Sequence, residues 1–94
     1  MIKYIVEMYG LPSEITELHE VEIELKDGAS LGEVIGALRR KIPALEGHVI
    51  RAGENRLMER YAFNINGRFY FDDREQIQLQ GSDRVALLTL AVGG

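Results

Sequence analysis

The start of the chain carries two strand-like patterns. Residues 2–8, IKYIVEM, are rich in β-branched and aromatic side chains and predict a strand. Tyr9-Gly10-Leu11-Pro12-Ser13 breaks it. Residues 18–25, LHEVEIEL, set Leu18, Val21, Ile23 and Leu25 against Glu20, Glu22 and Glu24. From Val21 the period is two, which predicts a strand with one buried and one wetted face. Two early strands around a short break predict an antiparallel hairpin.

After Lys26-Asp27-Gly28 the period changes. Leu31, Val34, Ile35, Leu38 and Ile42 recur at helical spacing and form one apolar stripe. Ser30 is the expected N-cap, with Glu33 completing a capping box. Arg39, Arg40 and Lys41 fall in the last turn, where cations suit the helix dipole, and Pro43 stops the helix. Gly32 and Gly36 each cost about 1 kcal/mol relative to alanine. A close approach of helix to sheet would explain them.

Residues 44–60 are less regular. Ala44-Leu45 and Val49-Ile50 read as core fillers, and residues 51–56 as a polar surface loop. Tyr61-Ala62-Phe63-Asn64-Ile65 predicts a strand, Asn66-Gly67 a type I′ turn, and Arg68-Phe69-Tyr70-Phe71 the returning strand. Asp72-Asp73-Arg74 opens a polar connection, and Gly81-Ser82-Asp83 makes the next turn. Residues 84–90, RVALLTL, form a last strand with few polar groups, which suits a central position. The order strand, strand, helix, strand, strand, strand predicts an α+β fold. One main helix covers one face of a mixed sheet of about five strands, because neither can bury its apolar face alone. The first and last strands, being the most apolar, are expected to pair in the middle, in parallel.

Size and composition fit that picture. The 94 residues suit a single domain over 1–94, and a chain of this length can bury roughly 60–65% of its unfolded surface. Hydrophobic residues are 46% and charged residues 28%, the balance of a folded domain rather than a disordered chain. No apolar run approaches the ~20 residues of a membrane span, and the N-terminus lacks the layout of a signal peptide. A cytoplasmic location without membrane association is expected. The net charge of −4 argues against a nucleic-acid surface. Residues 1–33 carry eight acids and two lysines, and residues 34–94 carry seven acids and nine bases. The acidic stretch is either a solvated strand face or a surface for a basic partner.

Ordinary catalytic constellations are missing, so no catalytic residue is expected. There is no cysteine, hence no disulfide, thiolate metal site or cysteine nucleophile. His19 and His48 lack ligand spacing and read as surface or core histidines, so no metal site is expected. Asp72-Asp73, the only adjacent carboxylate pair, reads as a solvated hairpin turn. The end of the chain stands out instead. Gly93-Gly94 follows an apolar strand almost directly. A terminal carboxylate that must enter another protein's active site needs a narrow stem, and glycine, having no Cβ, supplies one. Four extended residues past Leu90 reach about 13 Å. A carboxylate is a poor electrophile and must be activated, most simply as an acyl-adenylate. Leu88 and Leu90 should share one strand face, opposite Leu87 and Thr89. If Leu87 and Thr89 pack under the helix, two leucines lie exposed beside the tail, as interaction patches do. Phe69, Tyr70 and Phe71 cannot all face one core. Phe69 and Phe71 are left between hairpin packing and partner contact.

The stretches DGASLGEVIGALRRKIPAL, FNINGRFYFDD and GSDRVALLTLAVGG occur in an order that resembles the MoaD/ThiS family of ubiquitin-like sulfur carriers. The resemblance covers nearly the whole chain, least at positions 9–17 and 51–60. It implies a β-grasp fold with a flexible diglycine tail over 91–94. It also implies a protein cosubstrate rather than an enzyme. A ubiquitin-activating-type adenylating enzyme would adenylate Gly94 with ATP, and a sulfurtransferase would convert it to a thiocarboxylate. The carrier itself would bind no cofactor. Gly93 and Gly94 match the family's diglycine, and Leu90, Ala91 and Val92 match its tail, with Ala91, Val92 and Gly93 as the threading stem. Leu88 matches a partner-docking position that is often phenylalanine. The implied destination of the sulfur is molybdopterin, through a molybdopterin synthase large subunit. Other thiolation pathways, such as thiamine or tRNA, lysine conjugation, and a non-covalent β-grasp module are the alternatives.

Overall fold

A computed structural model describes residues 1–71 and 76–90. The first strand, β1, spans Ile2–Tyr9 and pairs antiparallel with β2, Glu20–Leu25, as the hairpin pattern predicts. It outlasts the sequence expectation by one residue, because Tyr9 still pairs across the sheet. Strand β2 starts later than expected. Leu18 lies outside it, 53% exposed, with its N–H donating to Thr16 Oγ1 at 3.1 Å. Within β2 the period of two holds: Ile23 and Leu25 are buried and the three glutamates exposed.

Helix α1 runs Leu31–Lys41 and buries Leu31, Val34, Ile35, Ala37 and Leu38, while Ile42 closes the stripe at 8% exposure. Ser30 caps it by accepting from the Glu33 N–H at 3.2 Å. The other half of the capping box is replaced. The Glu33 carboxylate meets Lys26 Nζ at 3.3 Å. Gly36 does not serve close packing, since a Cβ there would touch only Arg40 Nη1 at 3.6 Å. A 3-10 turn, Pro43–Leu45, follows. Leu45, Val49 and Ile50 fill the core as expected, but Ala44 is exposed. The 51–56 loop is anchored by Arg39. Its Nε lies 3.0 Å from Glu46 Oε2, its guanidinium donates to the Glu54 carbonyl, and Glu46 also accepts from the Gly53 N–H at 2.9 Å.

Strand β3, Tyr61–Ile65, turns through Asn66 (φ 52) and Gly67 (φ 90) into β4, Arg68–Tyr70. Both turn residues have the positive φ of a type I′ turn. The Asn66 amide also donates to Asp83 Oδ1 at 2.8 Å, and its Oδ1 accepts from the Arg84 N–H at 3.2 Å, stapling this turn to the entry of the last strand. That strand, β5, is Val85–Thr89. The sheet order is β2-β1-β5-β3-β4, with β1 and β5 parallel at its centre, as expected of a β-grasp. The core lies between the helix and the sheet face that carries Tyr4, Val6, Met8, Ile23, Phe63, Val85 and Leu87. Leu79 joins it from the 76–80 segment, with backbone bonds to Gly28 and Ala29 of 2.9 and 2.8 Å. The Tyr4 hydroxyl donates to the Leu79 carbonyl at 3.3 Å, and burial pushes the pKa of that phenol up. Asp72, Asp73 and Arg74 lie outside the described residues.

Candidate functional site

Among the described residues no helix covers the opposite sheet face, and strand register assigns its occupants. One row crosses the sheet as Glu20, Glu7, Ala86, Asn64, Phe69. The next crosses as Tyr9, Leu88, Ala62. Side chains alternate along strands, so Phe71 follows Phe69 and Leu90 follows Leu88 onto this face. Tyr9 is 55% exposed, Phe69 50%, Phe71 44% and Leu90 40%. Leu88 is half-buried, and Ala62 is fully buried without belonging to the core on the other side. These residues make an apolar patch at the C-terminal end of β5. Toward β2 the same face becomes acidic, with Glu22 beside Ile5 and Glu24 beside Lys3.

A polar group borders the patch. Glu7 faces Glu20 across the β1–β2 ladder, an unfavourable pairing of like charges. The Tyr9 hydroxyl donates to Glu7 Oε2, and Arg84 Nη2 lies 3.5 Å from Glu7 Oε1. The Tyr9 hydrogen bond, with help from Arg84, holds the Glu7 carboxyl below the usual carboxylate range. The same bond raises the Tyr9 phenol. Glu7, Tyr9, Asn64, Arg84 and Leu88 border a shallow dent of about 460 Å³ that is open to solvent. It suits a side chain from a partner better than a substrate to be enclosed.

The root of the tail is held on both sides. Leu90 donates its N–H to the Arg60 carbonyl, and Arg60 has φ 82. On the other flank Gly10 has φ 77, and a Cβ there would lie 2.3 Å from Thr89 Cγ2. Ala91, Val92, Gly93 and Gly94, the expected threading and reacting positions, lie outside the described residues. Among the described residues, no group of three or more His, Cys, Asp or Glu could hold a metal, and no helix is long and apolar enough to cross a membrane.

Strand register thus puts Leu88 and Phe69 on one face, and Leu90 and Phe71, each one residue past its strand, are exposed where continued alternation would add them to it. Leu87 packs on the other, 0% exposed, as alternation requires. Sequence reasoning missed Tyr9, Glu7, Arg84, Gly10 and Arg60. Alternation from Ile5 through Glu7 would have carried Tyr9 onto the open face. Nothing in the local sequence marks Arg60, because arginine is not a residue that favours positive φ.

The model of the ThiS family matches residues 6–94. No curated protein matches the chain by sequence. Among solved structures, SAMP1 from Haloferax volcanii superposes with a TM-score of 0.78 at 22% identity, covering 98% of this chain and 99% of that one. A Pyrococcus furiosus protein assigned as subunit 1 of a molybdopterin converting factor gives 0.71 at 22% identity, covering 97% and 100%. The small archaeal modifier protein 1 of Methanosarcina acetivorans gives 0.66 at 23% identity, covering 100% and 98%. These likenesses establish the ubiquitin-like β-grasp fold.

Proposed function

This chain belongs to the ThiS family, and from that premise we propose that it is a sulfur carrier that works as a protein cosubstrate. A ubiquitin-activating-type enzyme docks on the open face. The Gly94 carboxylate attacks the α-phosphorus of ATP in that enzyme, and pyrophosphate leaves. A sulfurtransferase then delivers sulfur at the sulfide level; HS⁻ attacks the acyl carbon, AMP leaves, the proton is lost, and Gly94 carries a thiocarboxylate. Ala91, Val92 and Gly93 are the stem that threads the partner's channel. The chain supplies no catalytic group and binds no cofactor, and the ATP is the partner's. The sulfur goes to molybdopterin, in molybdenum or tungsten cofactor synthesis, through a synthase large subunit. Similarity to the Pyrococcus furiosus protein supports that destination.

The observation that carries this reading is the apolar patch of Tyr9, Leu88, Phe69, Phe71 and Leu90 beside the root of a diglycine tail. A cluster of exposed apolar side chains of that kind is what a docking partner covers. ATP–pyrophosphate exchange by the host's adenylating enzyme tests it. Leu88→Asp is expected to lower kcat/KM roughly tenfold or more, the loss of an interface anchor, while the thermal midpoint stays close to wild type. Unchanged exchange with a folded Leu88→Asp chain would overturn the docking assignment.

Likeness to two small archaeal modifier proteins supports a second reading, in which a target lysine displaces AMP and an isopeptide bond forms. Both readings share the adenylate and part at the acceptor. Chains ending in a stable amide to lysine, found in place of a thiocarboxylate, would favour the second.

A further inference from the structure

Strand β5 lies between β1 and β3, and its neighbours leave the sheet at one level. Tyr9 faces Leu88, which puts Gly10 beside Thr89. Tyr61 faces Thr89, which puts Arg60 beside Leu90. Gly10 and Arg60 are both left-handed, at φ 77 and φ 82. For Gly10 this conformation is easy, and the missing side chain is what lets the Thr89 methyl sit there, since a Cβ would fall 2.3 Å from it. For Arg60 it is unfavourable; Arg60 holds it within a turn closed by the Tyr61 N–H on the Met58 carbonyl, and from there its own carbonyl accepts from the Leu90 N–H. The last two residues before the tail are therefore gripped from both flanks, one by packing and one by a hydrogen bond.

We propose that Gly10 and Arg60 form a clamp that fixes the backbone of Thr89 and Leu90, and so fixes the point on the sheet from which the reactive terminus starts. Both are positioning residues. The proposal rests on the adenylation reading above. A partner that holds the open face also holds Thr89 and Leu90, so a shift of their backbone moves the point from which the terminus starts, and misplacement of about 1 Å can cost 100-fold in rate.

Four variants test the clamp. Gly10→Ala drives a methyl into Thr89, and Gly10→Ala with Thr89→Ser removes the methyl it strikes while keeping the hydroxyl. Arg60→Gly keeps positive φ accessible, and Arg60→Val opposes it. Each is assayed for ATP–pyrophosphate exchange with the adenylating enzyme, for affinity to that enzyme when the chain is cut after Leu90, and for hydrogen exchange at the Leu90 amide, after a thermal melt confirms folding. Gly10→Ala and Arg60→Val should each lower kcat about tenfold or more while the cut chains bind like wild type, since only placement of the terminus is disturbed. Arg60→Val should also lose protection at Leu90. Thr89→Ser should recover part of the kcat lost in Gly10→Ala, the share due to the clash, while the strain of alanine at φ 77 remains, and Arg60→Gly should keep wild-type kcat. Wild-type turnover by folded Gly10→Ala and Arg60→Val overturns the clamp alone. An equal loss of affinity by the cut chains also overturns it, because the residues then shape the docking face. No exchange with wild type overturns the adenylation reading, and the clamp with it.

Discussion

Tyr9 has two roles on the open face. Its ring extends the apolar patch, and its hydroxyl lowers the pKa of Glu7. The sign of the linkage follows. A carboxyl whose folded pKa is depressed contributes stability that is fully present above its unfolded value, near 4.5, and is lost as pH falls through the folded value. The raised Tyr9 phenol contributes below its unfolded value of 10.0, and that share is lost as pH rises through its folded value. Tyr9→Phe should therefore flatten the pH–stability curve below about pH 4.5 and above about pH 10, and move the Glu7 titration upward. Urea midpoints across pH, with an NMR titration of Glu7, check this. Superimposable wild-type and variant curves would contradict it. At this scale the site was only partly legible. Leu88, Leu90, Phe69 and Phe71 follow from alternation alone, which is a local property of strands. Tyr9 was obscured because Gly10 and Pro12 draw the strand break one residue early. Arg60 leaves no trace, since arginine does not favour the positive φ it adopts as the third residue of a turn that the Tyr61 N–H closes on the Met58 carbonyl.

Helix α1 shows why elements with local signals were read well. Its cap, its stripe and its stop all lie within a few residues of one another. The glycines are the exception, because their expected role needed the sheet. Gly36 faces solvent-side Arg40 rather than the sheet, so Gly36→Ala meets no obstruction. The variant should stabilise the protein by up to about 1 kcal/mol, seen as a higher urea midpoint at unchanged m-value. A loss of stability would show that the helix does need the space. The 76–80 segment shows the reverse case. Ile77 and Leu79 alternate with glutamines, yet the segment follows the polar stretch 72–75 in sequence and precedes Gly81, and it was passed over. Its ordering depends on Gly28, Ala29 and Tyr4, none of which is near in sequence. Arg39 was read as a dipole partner only. It also holds the 51–56 loop through Glu46 and the Glu54 carbonyl, a tertiary arrangement with no local signature.

Across the whole molecule the sheet divides its two faces. One is sealed by α1, and the other is left open, apolar at the tail end and acidic toward β2. The acidic residues of β2 lie on an edge strand, where repeated charge discourages pairing with a second sheet. The tail follows β5, the central strand, so its root is braced by the middle of the sheet rather than by an edge. This topology was legible because apolar content marks central strands and helices must cover sheets. The chemistry proposed for the terminus rests on the diglycine and the family resemblance, because a carboxylate acted on by another protein needs no constellation in its own chain. The most direct test is therefore the intact mass of the chain after incubation with its host's adenylating enzyme, ATP and a sulfide source. The account predicts a mass increase equal to one carboxylate oxygen replaced by sulfur, abolished when Gly93 and Gly94 are deleted. An unchanged mass, with neither an AMP adduct nor conjugates in host extract, would contradict it.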